Sequence, residues 1–318
     1  MREGQFIKQN IERWKGYQEP TNDPDEVAKR FTYLVEDLSY AKTFYPFSNT
    51  VRYINGMASS IYLSIYRNKK EKKHRVITFW TTEMPLIMYK HRRTLLFSLL
   101  FFIVFVAIGA LSAANDQNFI RSVMGDEYVD MTERNILNGD PFGVYKMHEP
   151  IMMFVYIALN NIKVAMISIA FGMLATVGTL YFMFTNGLML GSFEYMFYHH
   201  GLGKGFILTV FIHGTLEISA LVIAGAAGMA IGNAILFPKT YTRMQSFMMA
   251  AKDAVKIMVS LVPVFIVAAF FESFVTRHTE MPIWINLIIL TTSGAFILWY
   301  YVLYPIICGK KQKDVPKV

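Results

Sequence analysis

One stretch of the chain, residues 151–237, is apolar almost throughout and limits the possible folds more than any other feature. About 20 apolar residues in a helix cross the hydrocarbon core of a bilayer, and this stretch is long enough for several crossings. In lipid the backbone polar groups must hydrogen-bond within the protein, which favours helices. The stretch therefore predicts a bundle of membrane-spanning helices.

Seven polar side chains interrupt this apolar stretch. A charged side chain near the middle of a bilayer costs at least ~2.5 kcal/mol, so such groups face the bundle interior and pair with one another. His213 and Glu217 are four residues apart and share one helix face. We expect Lys163 to pair with Glu217, and Glu194 with His213. The whole set is predicted to form a buried polar network: Asn160, Asn161, Lys163, Asn186, Glu194, His213 and Glu217.

The favoured interpretation of this network is structural, with the polar contacts fixing the helix register. A proton or ion relay, a substrate or lipid site, and a metal site are alternatives. His213 and Glu217 could supply two metal ligands, with His199 and His200 near them in the sequence. A membrane zinc hydrolase would need a His-Glu-x-x-His pair and a third ligand, which this helix lacks. The sequence therefore predicts no metal, no cofactor, no catalytic residue and no enzymatic activity.

Glycines recur along the same stretch at spacings that let helix backbones approach closely. Gly187 and Gly191, and Gly228 and Gly232, each form a Gly-x-x-x-Gly pair. These pairs predict a homodimer, although they could equally serve packing within one chain. The glycines assigned to helix packing are Gly187, Gly191, Gly214, Gly225, Gly228 and Gly232.

Composition supports a membrane protein and argues against other classes. The 318 residues are 54% hydrophobic, and the net charge is +8. The cations cluster beside the apolar segments, which the positive-inside rule explains without nucleic-acid binding. The single cysteine, Cys308, excludes an intramolecular disulfide and a cysteine-based zinc site. No cleavable signal is recognised, so the first spanning helix is expected to act as the targeting signal.

The first 75 residues read as a cytoplasmic helical region. Three amphipathic stretches are separated by Pro20 and Pro46. Residues 76–93 are apolar on one side and lie between two basic clusters, which suits an elbow helix in the headgroup plane. A simple connector is the alternative.

The remaining chain divides into six expected spans. Residues 67–93 carry nine Lys or Arg against two Glu, which places the N-terminus inside, whereas the loop 115–150 has a net charge of −4. Segment 237–256 and the tail after Cys308 each have a net charge of +3, so both should also be cytoplasmic; a five-span model would put them outside. The fold class is thus an all-α polytopic membrane bundle over residues 94–310, with a basic cytoplasmic tail at 311–318. Its spans are expected at about 94–114, 151–174, 176–198, 206–236, 257–275 and 284–307.

Several short motifs give the chain a resemblance to a known family. They are Phe79, Trp80, Glu83 and Pro85 before the first span, Asn160 and Asn161, Thr185-Asn186-Gly187 with Gly191, His213-Gly214 with Glu217-Ile218, and the turn from Gly225 to Gly228. With these residues, over roughly 75–310, the chain resembles the stage II sporulation protein M family of bacterial and archaeal membrane proteins. The resemblance implies a scaffold in the cytoplasmic (inner) membrane that recruits cell-wall hydrolases.

Two function classes follow from the sequence. The first is a non-enzymatic scaffold or assembly factor of the cell envelope, with the lipid bilayer, a second copy of the chain and envelope proteins as partners. The second is a permease-like subunit that moves a small solute, ion or lipid with a separate cytoplasmic ATPase. The buried Asn, Lys, Glu and His side chains would serve that transport.

Overall fold

A computed structural model describes residues 1–19, 21, 23–66, 74–146, 149–278 and 281–313. Within these ranges every regular element is a helix, which confirms the all-α prediction. The chain divides into two compact units, Met1–Arg75 and Val76–Val318. The basic cluster at 67–73 and the end of the basic tail, 314–318, lie outside the described residues.

The N-terminal unit consists of α1 (Glu3–Gly16), α2 (Pro24–Phe44) and α3 (Asn49–Tyr66). Helix α2 begins where Asp23 caps it: the Asp23 carboxylate accepts a hydrogen bond from the backbone N–H of Asp25 at 3.0 Å. The apolar stripes of the three helices meet in a core around Trp14, Leu34 and Ile54. The unit thus has a hydrophobic core of its own.

The second unit begins with one long helical stretch. Helix α4 (Arg75–Thr78), a π-helical turn (Phe79–Glu83) and α5 (Met84–Asn115) are continuous. The expected elbow at 76–93 and the first span are therefore parts of one helix, without a break at residue 93. Its first turns are held by the ion pair of Glu83 with Lys256 and by the Tyr300 hydroxyl, which donates to the Trp80 carbonyl at 2.9 Å.

The acidic loop 115–150, which the sequence left uninterpreted, is largely helical. It contains α6 (Gln117–Met124), α7 (Asp126–Leu137) and a 3-10 turn (Gly143–Lys146). Arg121 on α6 ties the two helices together, because its guanidinium contacts Asp130 at 2.5 Å and Glu133 at 3.2 Å on α7.

The other helices pack around α10, which contacts α5, α8, α9, α11 and α12. Small residues allow this central position: from Val222 to Gly232 every residue of α10 is buried. The helices are α8 (Pro150–Ala170) with a 3-10 turn (Phe171–Met173), α9 (Val177–His199), α10 (Gly203–Leu236), α11 (Arg243–Phe270) with a π-helical turn (Phe271–Val275), α12 (Ile283–Leu298) with a π-helical turn (Trp299–Leu303), and α13 (Tyr304–Lys313).

Five helical stretches in the described part of the chain are long and apolar enough to cross a membrane. They are Arg75–Asn115, Pro150–Met173, Gly203–Leu236, Arg243–Val275 and Ile283–Gln312. Helix α9 is long enough but is not among them, and it carries the polar residues Thr185, Asn186 and Glu194. The sixth span and the cytoplasmic position of both ends stay predictions.

The glycines chosen for helix packing are close-approach positions within the chain, with one exception. A Cβ added to Gly228 would meet Thr179, and one added to Gly191 would meet the Val106 carbonyl. Gly214 differs, because a Cβ there would make only ordinary contacts, 3.7 Å from Ile218 Cδ1. Since the Gly-x-x-x-Gly pairs serve contacts inside one chain, they no longer support the homodimer.

Candidate functional site

Three ionisable side chains meet in the membrane unit, where α10 passes the end of α11. His213 and Glu217 lie on α10, and Glu272 lies in the π-helical turn that follows α11. One ligand atom from each lies within 4.8 Å of the other two. His213 is buried at 4% exposure, and the Glu272 side chain is 17% exposed. We call these three residues the His–Glu–Glu cluster.

The π-helical turn brings Glu272 and Thr276 to this place. Thr276 closes the turn, because its backbone N–H donates to the Phe271 carbonyl, five residues back, at 2.8 Å. The Thr276 hydroxyl donates to the same carbonyl at 3.1 Å and lies 3.0 Å from Nδ1 of His213. Thr276 is itself only 1% exposed. The turn thus fixes both a carboxylate and a hydrogen-bond partner for the imidazole.

This hydrogen bonding favours one tautomer of the His213 ring. The Thr276 hydroxyl uses its proton on the Phe271 carbonyl, so toward His213 it acts as an acceptor and Nδ1 is the donor. In the neutral ring the other nitrogen, Nε2, then carries the lone pair. Nε2 lies 4.0 Å from Oε1 of Glu272, so an unprotonated nitrogen faces the carboxylates.

Glu217, the third member of the cluster, lies on α10 and faces α8. Asn161 on α8 donates a short hydrogen bond from its amide nitrogen to Oε1 of Glu217. Two carboxylates and an imidazole lone pair nevertheless converge in a largely buried place, where like charges repel strongly. The arrangement is chemically suited to hold a proton or a cation between these groups.

A cavity of about 420 Å³ opens beside the cluster, and the loop 115–150 contributes to its wall. Its polar lining includes Asn160, Asn161 and Asn186. Tyr128 of α7 also lines the cavity, and the Tyr145 ring packs edge-on against His213 with ring centres 5.6 Å apart. Burial, with a smaller contribution from Glu272, raises the pKa of Tyr128 to about 12, so this hydroxyl stays protonated near neutral pH.

The expected network is only partly assembled. Asn161, His213 and Glu217 come together, and Asn186 lines the same cavity while donating to the Phe182 carbonyl of its own helix at 2.8 Å. Asn160 and Lys163 are exposed side chains. Lys163 thus lies outside the network, whereas Asn160, although exposed, still lines the cavity.

Both expected ion pairs are wrong. No described contact joins Lys163 to Glu217, whose partner is Asn161, because Lys163 lies two residues further along α8 and points to another side. Glu194 lines other cavities, beside Lys204 and beside α5, and forms no ion pair with His213 among the described residues. The carboxylate nearest His213 is instead Glu272.

Sequence reasoning overlooked Glu272, although a usable signal was present. This residue lies inside the span expected at 257–275, and an ionisable residue within an apolar span is by itself a reason to suspect a buried site. Thr276 had no such signal, because its role depends on the π-helical turn.

Each of the two units matches a known family model. The N-terminal residues 4–67 match the model described as Domain of unknown function (DUF8413). No curated protein and no solved structure matches the chain. Residues 98–277, more than half of the chain and including the whole His–Glu–Glu cluster, match the model of Stage II sporulation protein M. The chain therefore belongs to the stage II sporulation protein M family.

Proposed function

We propose that the protein is a non-enzymatic scaffold of the cytoplasmic membrane that binds envelope proteins through its N-terminal unit. Support comes first from the construction of the chain, in which a folded unit with its own core is joined to a membrane unit of a different family. Two modules of this kind in one chain suit an adaptor.

The observation that carries the proposal is an exposed aromatic turn in the N-terminal unit. Phe44 ends α2 and is 57% exposed, and Phe47, in the turn before α3, is 99% exposed. Large apolar side chains grouped on a surface are typical of protein interaction sites. Aromatic residues are also enriched at the centres of such interfaces.

Photo-crosslinking in intact cells tests the scaffold. A photoreactive phenylalanine analogue replaces Phe47 in the full chain, and the control carries the analogue at Lys8, an exposed position on α1. We expect an adduct with a cytoplasmic or membrane-bound protein of the cell envelope from position 47 and not from position 8. Equal patterns from both positions, or no adduct from either, would contradict the proposal.

A permease-like subunit is the second candidate, and the cavity beside the His–Glu–Glu cluster favours it. A cavity of about 420 Å³ is large enough for a small solute, and its wall carries several amide groups. This function requires a separate cytoplasmic ATPase. Co-purification of such an ATPase, with turnover that depends on a transported solute, would select this candidate over the scaffold.

A further inference from the structure

We propose that His213, Glu217 and Glu272 bind one divalent transition-metal ion, with Zn²⁺ as the best match. The site does not depend on the scaffold role, because it rests on the membrane unit alone. One nitrogen and two carboxylate oxygens converge from two helical segments, within 4.8 Å of one another.

The orientation of His213 provides the first reason. Its Nδ1 is used by Thr276, which leaves the lone pair of Nε2 directed toward Glu272 at 4.0 Å. Metal-binding histidines commonly have this arrangement, in which the nitrogen that does not bind the metal donates a hydrogen bond that fixes the ring. A lone pair facing two carboxylates has no attractive partner unless a proton or a metal cation lies between them.

The second reason is the spacing of the ligand atoms. Zinc binds nitrogen and oxygen at ~2.0–2.2 Å, so two ligand atoms at a tetrahedral angle are roughly 3.4 Å apart. The 4.0 Å between His213 Nε2 and Glu272 Oε1 is too long for a hydrogen bond, yet it is within a small side-chain rotation of that value. The separation of these two atoms is therefore close to that of two ligands of one zinc ion.

The chemistry of the ligands selects the kind of metal. Carboxylates alone suit Mg²⁺ and Ca²⁺, whereas an imidazole ligand favours Zn²⁺ and other transition metals. Asn161 would act from outside the ligand set, since its hydrogen bond orients the Glu217 carboxylate. The cavity beside the cluster leaves room for a water as the fourth ligand.

Metal binding to the full-length protein in detergent tests the site. The protein is purified without a polyhistidine tag, treated with a chelator and dialysed against Zn²⁺, and bound zinc is measured. The variants are Glu272→Gln and Glu217→Gln, which keep the shape of the side chain. Glu194→Gln is the matched control, because Glu194 is a partly buried carboxylate of the same unit outside the cluster. His199→Ala/His200→Ala removes the exposed histidine pair.

We expect about one zinc per chain in the wild type, in Glu194→Gln and in the double histidine variant, as for a single site with three protein ligands. Glu272→Gln and Glu217→Gln should lose this zinc. Absence of bound zinc from the wild type, or its loss only in the double histidine variant, would overturn the proposal. The first result would exclude a metal ion between the carboxylates, and the second would assign the metal to the exposed histidines.

Two further measurements distinguish the loss of a metal ligand from the misfolding of a variant. Co²⁺ bound to the wild-type protein reports its ligands through visible absorption, without any substitution at the site. Thr276→Val should weaken metal binding roughly 10- to 100-fold, as loss of an outer hydrogen bond commonly does, and Thr276→Ser should restore it. A cobalt spectrum of the fully hydrated ion, or equal affinity in both Thr276 variants, would count against the site.

Discussion

The contact of α10 with α8 and α9 at Gly228 allows the packing to be tested quantitatively. A Cβ at this position would overlap Thr179 Oγ1 and would lie 2.8 Å from the Ser168 carbonyl oxygen and 3.0 Å from Thr179 Cγ2. Thr179 Oγ1 and the Ser168 carbonyl already form a buried hydrogen bond of 2.8 Å. Gly228→Ala therefore pushes apart two groups that are bonded to each other.

The expected loss of stability combines three effects. Overpacking a tight contact costs about 1–3 kcal/mol. Displacing Thr179 weakens its hydrogen bond, at a cost of about 0.5–1.5 kcal/mol. Alanine has a higher helix propensity than glycine, which offsets up to about 1 kcal/mol of this loss of stability. Gly228→Ala should therefore destabilise the protein by about 0.5–4.5 kcal/mol and lower the melting temperature by roughly 1–18 °C.

Gly214→Ala is the control, because it changes the same residue type in the same helix. A Cβ at Gly214 would meet Ile218 Cδ1 at 3.7 Å and Val210 Cγ1 at 3.9 Å, both ordinary contacts. Its melting temperature should be unchanged or a few degrees higher. The assay is thermal unfolding of both variants in one detergent. A Gly228→Ala protein that melts at or above Gly214→Ala would refute the close contact of α10 with Thr179.

Three other outcomes are expected. Because Lys163 is exposed, Lys163→Met should change the free energy of unfolding by less than about 0.5 kcal/mol. It should also not raise the melting temperature of Glu217→Gln. A rise would show that Lys163 and Glu217 form an ion pair after all. Asp37→Ala should destabilise the N-terminal unit by about 1–3 kcal/mol, since this carboxylate accepts hydrogen bonds from an arginine and from a buried indole of α1. Limited proteolysis should show faster cleavage within residues 1–75, whereas exposed Glu36→Ala should match the wild type. A reporter fused at the C-terminus should be active only as a cytoplasmic reporter, and periplasmic activity would contradict six spans.

The parts of the fold that could be predicted are those that depend on sequence-local properties. Apolar segments of bilayer length identify spanning helices without knowledge of their neighbours. The four-residue spacing of His213 and Glu217 places both on one face of α10 regardless of what lies opposite. Glycine spacing likewise indicates a close helix contact at Gly228. It does not indicate whether the other helix belongs to the same chain.

The site itself could not be assembled in this way, because its partners come from elements far apart in the sequence. Opposite charge suggested Lys163 for Glu217, but the helical rotation between Asn161 and Lys163 decides which of them faces α10. Glu272 required knowledge that the end of α11 lies beside His213. The helices of the loop 115–150 are held by a polar contact of Arg121 with Asp130 and by apolar residues packed against Met196 of α9, and these partners could not be identified from the sequence.

At the π-helical turn Phe271–Val275, the number of residues sets the orientation of the side chains that follow, and is therefore as important as which residues are present. A π-helical turn contains one residue more than the α-helical turn that it replaces. Each residue advances an α-helix by about 100°, so a deletion of one residue here would rotate everything downstream by about that angle. Thr276 would then turn away from the imidazole while every named side chain was still present in the chain. A relative with an insertion or deletion at this turn would therefore lose the contact of Thr276 with His213 even if it kept both residues. A relative with a substitution within the turn would keep the orientation of Thr276.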